Sequence, residues 1–206
     1  MSNKIKDNSK NNNQESEQTS FWKELLSWIE VVAIAAAIAF VVNNFLIANS
    51  RVPTSSMEPT IMTGDRVFGS RLTYKFSDIE RGDIVIFRYP LDEKTYFVKR
   101  VIGLPGDVVD VKDGHVYLNN SDTPMDEPYI AEPMNVEPPL HFEVPEGHYF
   151  CMGDNRNNSM DARYWDMIAK QYPDSFDPNR NYSYVAKNKI IAKVYFRYWP
   201  KPSKLE

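Results

Sequence analysis

Cysteine occurs once, at Cys151, so no internal disulfide is available. Histidine is nearly as scarce: His115, His141 and His148 stand far apart, with no Cys or His pair at ligand spacing. Such a set excludes the usual zinc arrangements, and no metal is expected. Strong charge of one sign is lacking too, since 24 Lys and Arg against 28 Asp and Glu leave a formal charge of -4. A field that weak gives no reason to expect a nucleic-acid partner. No internal repeat is present. What the 206 residues do provide is length enough for one domain with an appendage and a real core.

The first 20 residues, MSNKIKDNSKNNNQESEQTS, are Asn, Ser, Gln and Lys with little to bury, so residues 1–20 read as a disordered tail. FWKELLSWIEVVAIAAAIAFVVNNFLIANS follows, with an unbroken apolar run from Val31 to Val42 that resumes at Phe45, Leu46 and Ile47. A helix from Leu25 to Ile47 would rise roughly 34 Å, enough to cross a hydrocarbon core of about 30 Å. A removable signal peptide is the competing reading, because "ANS" at 48–50 offers small residues at cleavage spacing. The long segment before the run, and Trp22 and Trp28 at interfacial positions, favour an uncleaved anchor over 21–48. Lys6, Lys10 and Lys23 precede it and only Arg51 and Arg66 follow closely, which predicts a single-pass protein of the cell membrane with a cytoplasmic N-terminus. Residues 49–206 would then form an extracytoplasmic domain.

That domain reads as mainly β. GDRVFGSRL, DIVIFRYP, YFVKRVIGL, VVDVKDGHVYLNN, HYFCMGD and IIAKVYFRYW are β-branched and aromatic runs punctuated by Gly, Pro, Asp and Asn. Asp113-Gly114 suits a tight hairpin turn. A small insertion is expected at about 107–148, with a Pro- and Glu-rich loop from Pro124 to Pro145, and 171–184 reads as a surface excursion.

Directly after the apolar run, NSRVPTSSMEPTIMTGDRV clusters Thr54, Ser55 and Ser56 between prolines. Activating such a hydroxyl needs a base. In YFVKRVIGLPGD, strand alternation puts Lys99 on one face with Phe97 and Val101, and the GLPG turn ends the strand. A lysine ordinarily titrates near about 10.4, but burial among apolar groups lowers it by several units. Taken singly, Lys99-Arg100 also fits a pair of surface charges and the serines fit turn chemistry. The stretch GDNRNNSMDARYWD at 153–166 is too polar for core yet too patterned for a casual turn.

Together PTSSMEPT, VKRVIGLPGD and GDNRNNSMDARYW, with the N-terminal anchor, resemble the bacterial type I signal peptidases from roughly Phe21 to Pro200. The resemblance implies a signal-peptidase-like antiparallel β fold with one N-terminal transmembrane helix, a serine endopeptidase without cofactor, and secretory preproteins and the lipid bilayer as partners. It implies Ser56 as nucleophile, Lys99 as general base, and Thr54 with the Ser56 N–H as oxyanion hole. It also implies Ser159 orienting Lys99, Asp161 paired with Arg163, and Asp154 paired with Arg100. Met57 and Val98 are expected to line small pockets for the residues before the cut. The chain departs from the family where Asn157, Ala162 and Asp166 stand in place of the usual Asp, Ser and Gly. A self-cleaving Ser-Lys peptidase and a non-cleaving scaffold that binds signal peptides are the alternatives. Cys151 reads as inert core.

Overall fold

The structure is a computed structural model that describes residues 3–135 and 138–205. It divides into two units, Met1–Phe45 and Leu46–Glu206. The first is a helix, α1, spanning Asn3–Val41 and closing in a π-helical turn at Val42–Leu46. Its stretch from Trp22 to Val41, 20 residues, is long and apolar enough to cross a membrane. The helix departs from expectation at both ends. Residues 3–20, read as a disordered tail, are helical, because extending a nucleated helix adds a hydrogen bond for each residue fixed. At the other end helix gives way before Ile47, whose segment joins the sheet, so the predicted anchor boundary at residue 48 overlaps the second unit.

The second unit opens with β1 (Ile47–Arg51), β2 (Arg66–Ser70) and a one-turn helix α2 (Thr73–Phe76). β3 (Ile84–Tyr89) and β4 (Asp92–Gly103) form a long hairpin, and β5 (Val108–Lys112) and β6 (His115–Leu118) a short one. Then come β7 (Leu140–Glu143), β8 (His148–Met152), the helix α3 (Ala162–Gln171), β9 (Val185–Ala186), β10 (Ile190–Trp199) and β11 (Ser203–Lys204). The main sheet runs β1-β2-β10-β3-β4-β8-β9 with antiparallel neighbours, and β6-β5-β7 make a separate small sheet. Asp113, at φ 53, and Gly114, at φ 78, take the left-handed conformation that the β5–β6 turn requires.

Both faces of the main sheet are covered, as the doubly buried β3 requires. Val85 and Phe87 face a large cluster with Val101, Phe150 and Trp165 of α3, while Ile84 and Ile86 face a second one with Val52, Met57, Ile61 and Val67. Trp165 lies against Phe87, Tyr89 and Phe97 with ring centroids 5.9, 5.6 and 6.2 Å away, which docks α3 on the β3–β4 hairpin. Six of these elements lie where the sequence reading placed none, the short α2, β9 and β11 among them. β1 falls in the predicted helix and loop, β7 in the Pro- and Glu-rich loop, and α3 straddles the end of the polar 153–166 stretch.

Candidate active site

The loop after β1 is closed at its base by backbone bonds from the Val52 N–H to Asp65, 2.9 Å, and from the Gly64 N–H to Val52, 2.7 Å. Within it, Ser56 comes 43 positions before Lys99 and yet their side chains meet: Lys99 Nζ donates to Ser56 Oγ in a very short contact. Lys99 stands on β4 opposite Val85, with its Nζ 5.3 Å from the Phe97 ring centroid, as strand alternation predicts. Its 3% exposure leaves little water to solvate a charge. Burial pushes the amine down from its ordinary value to about 8, against the pull of Asp161 and Asp154 towards the charged form. Thr54 Oγ1 lies 3.4 Å from Ser56 Oγ. The Ser56 N–H donates to no acceptor among the described residues, so it is available to an incoming oxygen.

The loop after β8 grips the serine segment. The Asn155 N–H donates to the Ser56 carbonyl at 3.1 Å, Asn155 Nδ2 to the Ser55 carbonyl at 3.1 Å, and Asn158 Nδ2 to Ser55 Oγ at 2.8 Å. Gly153 is packed so closely that an added Cβ would stand 2.3 Å from the Ser56 carbonyl and 2.2 Å from Ser159 Oγ. Ion pairs set this loop. Asp154 accepts from Arg100 Nε and Nη2 at 2.9 and 2.7 Å and from Thr60 at 2.5 Å, tying β4 to the turn that follows the serine. Asp161 caps α3, accepts from Arg163 Nε at 2.8 Å, and receives the Gly153 N–H at 3.0 Å. Burial works to raise the Asp161 carboxyl, but Arg163 and the Gly153 N–H outweigh it and hold the group below the usual carboxylate range.

Two expected roles differ here. Ser159 is buried beside Gly153, but among the described residues its Oγ makes no hydrogen bond to Lys99; it lies instead on the Asp161 side, where it helps hold that carboxyl ionised. Met57 is fully buried with Ile61 and Val67, because the turn at 57–61 points it into the core, and it does not line the cleft. Val98 does. The cleft holds about 710 Å³ and opens onto Ser56 and Lys99 between Arg51–Ser55 and Thr95–Val98. Sequence reading missed Gly153, Asn155, Asn158 and Arg156, although the polar pattern that marked 153–166 contains all of them.

The departures also find partners. Asn157 donates to Glu132 at 2.9 Å and accepts the Asn135 N–H at 2.8 Å. An Asp there would face Glu132 as a like charge. Asp166 accepts from the Tyr182 N–H at 3.0 Å and so ties the 171–184 excursion to α3. Cys151 is fully buried and burial pushes its thiol up, far from a reactive thiolate.

Comparison with known proteins shows the family. The family described as "Signal peptidase, peptidase S26" matches residues 25–199. The chain belongs to that family. Among relatives, the signal peptidase is 36% identical to a probable signal peptidase I-2 of Synechocystis over 85% of this chain and 75% of the relative. It is 37% identical to signal peptidase I S of Bacillus subtilis over 72% and 83%, and 32% identical to signal peptidase IB of Staphylococcus aureus over 86% and 91%. A crystal structure of a signal peptidase I from Enterococcus faecalis aligns with 57% of this chain and 97% of its own, at 26% identity and a TM-score of 0.42.

Proposed function

We propose that this signal peptidase removes signal peptides from secretory preproteins through a dyad of Ser56 and Lys99. The contact between Ser56 Oγ and the amine of a buried lysine carries the reading, since burial makes the neutral amine accessible at moderate pH. The Ser56 O–H gives its proton to the Lys99 lone pair as Oγ bonds to the scissile carbonyl carbon. The resulting oxyanion is met by the Thr54 hydroxyl and the Ser56 N–H. Collapse breaks the C–N bond and Lys99 passes its proton to the departing amine, leaving an acyl-enzyme on Ser56. A water, deprotonated by Lys99, then releases the acyl group and restores the serine.

The cleft suits an extended peptide. Among the described residues, β1 pairs only with β2, and β4 from Asp92 to Lys99 has a strand partner on one side only, β3. β1 and β4 stand first and fifth in the sheet order and still line one cleft, so two open backbone edges are available to a peptide laid between them. Val98 lines that wall beside Lys99, where it limits the side chain next to the scissile bond. The Trp22–Val41 segment anchors the protein in the cell membrane, with the lysine-bearing N-terminus cytoplasmic and the β-rich unit outside. The test is cleavage in detergent of a preprotein with an Ala-x-Ala site. The intact protein is expected to cut after the last Ala, while folded Ser56→Ala and Lys99→Met variants leave the substrate whole. Full activity of either variant would remove that residue from the mechanism.

A further inference from the structure

One buried ion pair beside the site has no part in the chemistry above. Glu127 lies between β6 and β7, in the segment that reads as loop, yet its side chain is 5% exposed and that of its partner Arg156 1%. The carboxylate takes both terminal nitrogens of Arg156, one at 2.8 Å and the other in a still closer contact. Tyr129, whose ring lies 3.9 Å beneath the Arg100 guanidinium, donates to the same carboxylate at 2.8 Å. Arg156 in turn spends its Nε on the Gly153 carbonyl at 3.1 Å and gives its own carbonyl to Arg163 at 2.7 Å. Gly153 is thus held from both ends, its N–H by Asp161 and its C=O by Arg156. Against this glycine rest the Ser56 carbonyl and Ser159. A buried ion pair adds little net stability, because desolvation consumes most of the attraction, so its chief effect is directional.

We propose that Glu127 is a positioning residue for the dyad: acting through Arg156, it fixes the peptide at Gly153 and thereby the placement of Ser56 against Lys99. The inference rests on the dyad reading. Glu127 does not line the cleft, so it acts on turnover and not on substrate binding.

The test uses the full-length protein in detergent with the Ala-x-Ala preprotein, comparing the intact chain with Glu127→Gln, Arg156→Met and the double variant Glu127→Leu/Arg156→Met. Removing both charges avoids an unpaired buried ion, so the double variant keeps the measurement open if a single one does not fold. In variants whose thermal melts lie above the assay temperature, kcat is expected to fall about tenfold or more with KM within about twofold, and the double variant to be no slower than the slower single one. Folded variants with unchanged kcat, or a rise in KM at constant kcat, would overturn it. An intact protein that does not cut would instead overturn the dyad reading, and the proposal with it.

Discussion

At the scale of single residues, Lys99 sets two opposing demands. In the proposed dyad its neutral form takes the proton, so kcat/KM is expected to rise with pH through an inflection at about 8 and then level, measured in buffers of constant ionic strength. A flat profile across that range would remove Lys99 as the titrating base. The same burial costs stability. An amine ordinarily at 10.5 and held at about 8 binds its proton less tightly folded than unfolded, so below pH 8 the fold carries the full cost, and the cost vanishes as pH rises towards 10.5. Lys99→Met is therefore expected to stabilise the protein by about 3 kcal/mol at neutral pH, with the advantage shrinking towards about pH 10 in urea titrations. Ser56 and Lys99 were legible through the motifs that carry the resemblance, and alternation placed Lys99 among apolar neighbours, but neither the depth of its burial nor its contact with Ser56 could be read from sequence. Each depends on the β3–β4 register and on the loop that follows β8.

At the scale of elements, the loop after β8 acts as a clamp on the serine loop. Gly153→Ala is expected to abolish most cleavage and to destabilise by about 1–3 kcal/mol, because its Cβ has no room beside the Ser56 carbonyl; activity and a thermal melt together check it. The strands at 66–70, 84–89, 108–112, 115–118, 148–152 and 190–199, and 96–103 of β4, were legible because alternation and β-branched residues agree with the pairing they adopt. β1 was not, since Ile47–Arg51 continues an apolar helical run and becomes a strand only through its bonds to β2. α3 carried a usable signal that the polar motif hid: Asp161 at the cap, then Ala162, Trp165, Asp166 and Ala169 at helical spacing on the buried face. Met57 was misread for a related reason. Proximity to Ser56 in sequence says nothing of direction, and the turn sends it to the core.

At the scale of the whole molecule, each unit has its own source of stability. The Leu46–Glu206 unit contains both apolar clusters and all of the site, whereas Trp22–Val41 exposes its apolar side chains. A chain beginning at Leu46 is expected to fold alone, with one cooperative urea transition by circular dichroism, and to retain cleavage of a short Ala-x-Ala peptide. A gradual transition would show that the helical unit is needed for the fold. The apolar helix and the β-rich character of the unit that follows were legible, because hydropathy and alternation are local properties. The end of the helix was not, since strand pairing decides it.

The central claim is that Ser56 carries the acyl group, and trapping that intermediate tests it most directly. Full-length protein mixed with preprotein would be quenched in acid within a turnover and its mass and peptides measured. A mass increase equal to the substrate's acyl fragment, located on Ser56 and absent from Ser56→Ala, is the predicted result. An adduct on another residue, or rapid cleavage with no adduct under conditions where deacylation is slowed, would contradict the account.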